Sequence, residues 1–195
     1  ITEDSWKFVD RTEAFGLEEK NRRHSLAAAW EDFDDDGDQD LYVANDYGQN
    51  VLYQNNGGVF SEVAGTSGVI DFGGGMSVTW GDYDRDGKID LYVSNMYSSA
   101  GNRITDKKNF MPEGDDAQRA IYTRFAKGNS LFKNLGGGEF KEVGPEMGVE
   151  VARWAWGSMF SDINNDGYRD LFIGRQKTHN LLFLNNGDGT FSDVT

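Results

Sequence analysis

The chain has 195 residues, room for one substantial core, and its 37% hydrophobic content is that of a globular protein. A net charge of −14 excludes the basic face that phosphate recognition needs. The lack of cysteine excludes disulfides, thiolate metal sites and thiol nucleophiles, and no run approaches the ~18 apolar residues of a membrane span.

In chain order, residues 1–20 show neither the basic start nor the apolar middle of a signal peptide. Their segment "WKFVDRTEAFGL" from Trp6 matches only the tail of the unit that follows it, as seen in "FSEVAGTSGV" from Phe60. The first full unit, about residues 24–70, holds "WEDFDDDGDQDLYVAN" from Trp30 and "NVLYQNNGGVFSEV" from Asn50. The second, about 72–149, holds "WGDYDRDGKIDLYVSN" from Trp80 and "NSLFKNLGGGEFKEV" from Asn129. The third, about 152–195, holds "FSDINNDGYRDLFIGR" from Phe160 and "NLLFLNNGDGTFSDV" from Asn180. Asp32 and Asp82 stand 50 residues apart, Asp82 and Asp162 80 apart; an insertion at about 96–128 accounts for the difference.

Each unit reads as four short strands. The first runs into an acidic loop (Leu26–Trp30, Met76–Trp80, Trp156–Phe160) and the second leaves it (Leu41–Ala44, Leu91–Ser94, Leu171–Gly174). The third (Val51–Gln54, Leu131–Lys133, Leu181–Leu184) and fourth (Phe60–Val63, Phe140–Val143, Phe191–Val194) are joined by Gly-rich hairpin turns. Four antiparallel strands repeated at this spacing predict propeller blades. The expected fold is an all-β segment of a β-propeller, with three four-stranded blades, one extra N-terminal strand at Lys7–Asp10 from a preceding blade, and a partly helical insertion in the second blade.

The acidic loops share D-x-[DN]-x-D-G-x-x-D. Oxygen ligands at positions one, three, five and nine are Asp32, Asp34, Asp36 and Asp40; Asp82, Asp84, Asp86 and Asp90; and Asp162, Asn164, Asp166 and Asp170. Alternate spacing lets a curling loop point successive carboxylates inward, and the glycine at position six permits the turn. Position seven (Asp38, Lys88, Tyr168) varies in side chain and is expected to contribute its backbone carbonyl only. Position four (Asp35, Arg85, Asn165) is expected to face solvent, as are the position-seven side chains. Flexible loops of hard oxygen ligands suit Ca2+, which takes 6–8 of them; Zn2+ would want nitrogen or sulfur. An EF-hand requires a glutamate at position twelve, occupied here by Val43, Val93 and Ile173. Three bound Ca2+ would bring the net charge from −14 to −8.

These loops, each followed by L-[YF]-[VI], resemble the FG-GAP/VCBS-type calcium-binding repeats of integrin-α-like β-propellers. The second blocks and "YVSNMYSSAGNRIT" are similar to the group related to cartilage acidic protein (ASPIC/UnbV). The resemblance implies an extracellular or periplasmic propeller, often seven-bladed, whose Ca2+ ions rigidify blade hairpins. Relatives of this kind serve in adhesion, in lectin-like binding and as modules attached to enzymes.

Trp30 and Trp80 share one position in the repeat and are expected to pack between blades. At least one of Trp154 and Trp156, and also Trp6, is expected in the core, with sugar stacking by an exposed Trp the alternative. His24 and His179 match no catalytic spacing, and no nucleophile elbow or phosphate loop occurs. In the insertion, Asp115 or Asp116 as N-cap and Gly128 after the last turn predict a helix over 115–127 with Ala117, Ala120, Ile121 and Phe125 on one apolar face. Residues 96–128 carry six Lys/Arg against four Asp/Glu beside an acidic body, which suits contact with another chain or domain. The leading expectation is a non-enzymatic, extracytoplasmic Ca2+-binding module for protein or glycan binding, adhesion or assembly. Its missing blades would come from a longer parent chain or other subunits. The alternative is part of a calcium-dependent propeller enzyme acting on polysaccharide.

Overall fold

A computed structural model describes residues 7–107 and 109–195. Twelve strands form three antiparallel sheets, each in sequential strand order. The first sheet is β1 (Ser25–Glu31), β2 (Asp40–Asn45), β3 (Val51–Asn56) and β4 (Val59–Glu62). The second is β5 (Gly75–Gly81), β6 (Asp90–Asn95), β7 (Ser130–Gly136) and β8 (Glu139–Glu142), and the third is β9 (Ala155–Ser161), β10 (Asp170–Arg175), β11 (Leu181–Asn185) and β12 (Phe191–Asp193). The fold is an all-β segment of propeller-like blades. Register repeats with the sequence: Trp30 pairs with Leu41, Trp80 with Leu91 and Phe160 with Leu171. The first hairpin of every blade shifts register at the same place, beside Leu26, Met76 and Trp156, so the irregularity belongs to the repeat.

The blades stack in order, β5 against β1 and β2, and β9 against β5 and β6. Between the first two, Phe33, Tyr42, Leu52 and Val69 meet Leu91, Val93, Phe132 and Phe140, with Trp80 at the margin. Between the second and third, Tyr83, Tyr92, Leu131 and Val149 meet Leu171, Ile173, Leu181 and Phe183. Trp80 stands edge-on to Tyr42 at 6.2 Å, and Phe160 to Tyr92 at 6.1 Å. Trp30 does not share this burial. It is 54% exposed, touching Phe60 of its own sheet at 5.9 Å, because its face points to where a preceding blade would stand. Trp154 and Trp156 are exposed as well: Lys177 Nζ lies 5.9 Å from the Trp154 ring, and Trp156 sits at the register shift. Trp6 lies outside the described residues.

Single helical turns follow the fourth strands, α1 (Ala64–Ser67) after β4 and α4 (Gly144–Met147) after β8; α2 and α3 are Ser99–Thr105 and Asp116–Lys127. The sequence reading named neither the single turns nor α2. The N-terminal segment repeats the turn after a fourth strand. Asp10 Oδ1 accepts from the Thr12 amide at 2.9 Å, as Glu62 Oε1 does from Ala64 and Asp193 Oδ1 from Thr195, both at 3.0 Å. A Cβ at Gly16 would collide with the Phe60 carbonyl, as one at Gly68 would with that of Phe140. The strand expected at residues 7–10 is not formed, for no strand among the described residues pairs with it.

The helix α3 starts where expected, with the Asp115 side chain accepting from the Gln118 amide at 2.7 Å. Its anticipated apolar face is docked only at its last member: Phe125 is half-buried and stacks on Tyr47 at 6.3 Å, whereas Ala117, Ala120 and Ile121 are exposed and the buried residue is Ala126. The helix is held by its C-terminal end, where Arg124 Nε lies 3.1 Å from Oδ1 of the fully buried Asp71. Asp71 also accepts from Asn95 Nδ2 at 2.7 Å and Ser130 Oγ at 2.8 Å. The insertion is thus tied into its own chain.

Candidate metal centre

Every acidic loop links the first two strands of its blade and has the same conformation. The fourth residue is left-handed in each, Asp35, Arg85 and Asn165 having φ of 61°, 61° and 60°. Glycine follows at position six with φ of 93°, 85° and 89°, a region that penalises any Cβ. The turn forms around its first aspartate. Asp32 Oδ1 and Oδ2 accept from the amides of Asp36 (3.1 Å) and Gly37 (2.9 Å). Asp82 does so from Asp86 and Gly87, both at 3.1 Å, and Asp162 from Asp166 (3.1 Å) and Gly167 (2.9 Å). The fifth residue accepts from the amide of the seventh: Asp36 from Asp38 (2.9 Å), Asp86 from Lys88 (3.0 Å), Asp166 from Tyr168 (2.8 Å). A run of amides pointing at carboxylates leaves the outer lone pairs of those oxygens for a cation.

The ninth aspartates are buried and clamp the loop. Asp40 accepts from the amides of Phe33 (3.1 Å) and Asn55 (2.7 Å), Asp90 from Tyr83 (3.1 Å) and Asn134 (2.8 Å), and Asp170 from Ile163 and Asn185, both at 2.9 Å. Burial pushes Asp40 up to about 6 and Asp90 to about 7, against the pull of these amides and with the help of neighbouring loop carboxylates. A nearby divalent cation would relieve that cost.

Carboxylate oxygens of Asp32, Asp34 and Asp40 lie within 4.8 Å of one another, as do those of Asp82, Asp84 and Asp86. In the third loop Asn164 replaces a carboxylate and its amide donates to Asp166 Oδ2 at 2.8 Å; no carboxylate triad of this kind occurs there among the described residues. The first loop has the clearest demand for a cation. Asp34 Oδ2 accepts from Gln54 Nε2, whereas its Oδ1 is buried with no hydrogen-bond partner. An orphaned carboxylate oxygen facing two other carboxylates is the environment in which a hard cation replaces lost hydration. The donor set therefore fits Ca2+.

The variable loop side chains make contacts that the expectation of solvent-facing groups left out. Asp38 is half-buried and its Oδ2 accepts from the Gly57 amide at 2.7 Å, tying the loop to the β3–β4 turn. Arg85 is exposed, as expected, and also lies over the Tyr168 ring, 5.0 Å from its centroid, bridging the second and third loops. Sequence reasoning also passed over Asn55, Asn134 and Asn185, which occupy one position of the repeat. Asn134 Nδ2 donates to the Phe33 carbonyl of the preceding blade's loop (2.8 Å) and Asn185 Nδ2 to that of Tyr83 (2.7 Å), so the first and second loops are each pinned by the next blade. Their recurrence before each Gly-rich turn was the available signal.

The family model of the FG-GAP-like repeat matches residues 32–93 and 162–195, which include all three loops. No curated protein matches the chain.

Proposed function

From the premise that this chain is built of FG-GAP-like repeats, we propose that it is a non-enzymatic calcium-binding module working outside the cytoplasm, in binding or assembly. The observation that carries the reading is the buried, unpartnered Oδ1 of Asp34 among the first loop's carboxylates, within a loop conformation repeated three times. Calcium would be held by the first, third, fifth and ninth side chains and the seventh carbonyl of each loop. It would supply charge compensation and rigidity to the first hairpin of each blade. Millimolar calcium outside the cell suits loops of this exposed kind. The raised carboxyls, Asp40 and Asp90, are accounted for by their place in the loops, which favours binding over acid–base chemistry. The ligand class is protein or glycan.

Calcium titration by calorimetry, paired with thermal melting in calcium and in excess EGTA, tests the proposal. Three bound ions are expected, and calcium at about 100 times Kd should add about 2.7 kcal/mol for each independent site. A melting curve unmoved by chelation would overturn it.

A further inference from the structure

We propose that Lys133 is a built-in cation of the second loop, which therefore takes calcium only by displacing it and binds more weakly than the first loop. The inference rests on the reading of the loops as calcium sites. Lys133 lies on β7 directly before Asn134, and its ammonium donates to Asp84 Oδ2 and stands 3.4 Å from Asp86 Oδ2. Lys88 Nζ adds a second ammonium 3.0 Å from Asp86 Oδ2. Two of the second loop's ligand carboxylates are thus neutralised from within the chain.

The same position of the repeat is Gln54 in the first blade and Leu184 in the third. Gln54 reaches the equivalent carboxylate, Asp34, but with a neutral amide, and leaves Oδ1 unpartnered. Leucine donates nothing. One position facing the loop from the third strand therefore offers a competing cation, a neutral donor or no donor. An ammonium in place repels an incoming divalent ion and must be drawn off two carboxylates before they can ligate. A neutral amide demands neither. The second loop's carboxylates are accordingly charge-compensated from within the chain, while the first loop's have no ammonium beside them among the described residues. Lys133 thereby sets an order of filling, the first loop before the second.

The amides of Gly37, Gly87 and Gly167 each donate to the first aspartate of their own loop and report each site separately in a calcium titration followed by amide NMR. In the wild-type chain the midpoint for Gly87 is expected about tenfold or more above that for Gly37, the scale of a contact between unit charges at a protein surface. Lys133→Gln should lower the Gly87 midpoint by about that factor and leave Gly37 unmoved. Gln54→Lys should raise the Gly37 midpoint and leave Gly87 unmoved, and decides alone if Lys133→Gln does not fold. Gly37 and Gly87 titrating together in the wild type, or a Gly87 midpoint indifferent to Lys133→Gln, would overturn the inference while leaving calcium binding intact. No response from any of the three amides would instead remove the calcium reading, and this inference with it.

Discussion

Asp40 and Asp35 stand five positions apart in one loop and do opposite work. Asp40 is buried, accepts two backbone amides and converges with Asp32 and Asp34. Asp35 is exposed, and what its position demands is a left-handed backbone, which Asn165 supplies in the third loop. Asp40→Ala is therefore expected to cost stability even without metal, about 1–3 kcal/mol for buried amides left unpaired, and to abolish calcium binding at the first loop. Asp35→Asn should change stability by less than about 0.5 kcal/mol and leave the site intact. Urea denaturation in EGTA, beside calcium calorimetry, measures both. Equal losses from the two substitutions would mean that the ninth aspartate is not the clamp.

At the scale of elements, α3 is joined to the blades by a charge pair on a buried carboxylate, beside the stacking of Phe125 on Tyr47. Asp71, fully buried between the first and second blades, is compensated by Arg124 and by hydrogen bonds from Asn95, Ser130 and the Gly73 amide. Removing the insertion would strand this carboxylate, so deleting residues 98–127 should destabilise the blades. Arg124→Met should destabilise the chain by about 3 kcal/mol, the cost of breaking a buried pair, and adding Asp71→Asn should recover part of it. Chemical denaturation of the single and double variants measures the coupling. Strict additivity would show that the contact does not hold the helix.

For the whole molecule, three stacked blades leave an apolar face uncovered at each end. Tyr42 and Tyr92 are fully buried between blades, whereas Phe172, at the same position of the third blade, is 38% exposed; Ile163, at the position of the buried Phe33 and Tyr83, is exposed as well. At the other end Trp30 is exposed where Trp80 is packed. Propellers close as rings of 4–8 blades, which leaves no such faces. Apolar faces of this kind call for further blades, from the same chain or another. The 195-residue chain alone should self-associate in sedimentation experiments, and Phe172→Ser or Trp30→Ser should shift it towards monomer. A compact monomer at high concentration would show that three blades suffice.

The loops and strands were legible in the sequence because both are local. The amides that fold a loop around Asp32 come from four and five residues away, and the alternation of each strand is written in consecutive residues. Repetition then multiplied a weak signal by three, enough to name the blades and the acidic loops, and the helix start at Asp115 or Asp116 was written in its own local cap signal. What only the tertiary structure decided lies across long separations. Arg124 meets Asp71 over 53 residues, Lys133 meets Asp84 over 49, and Asn134 reaches Phe33 over 101. The alignment placed Trp30 with Trp80, yet only one of them is covered. A repeat specifies which face of a strand is apolar, whereas burial and charge compensation depend on the neighbour that arrives there.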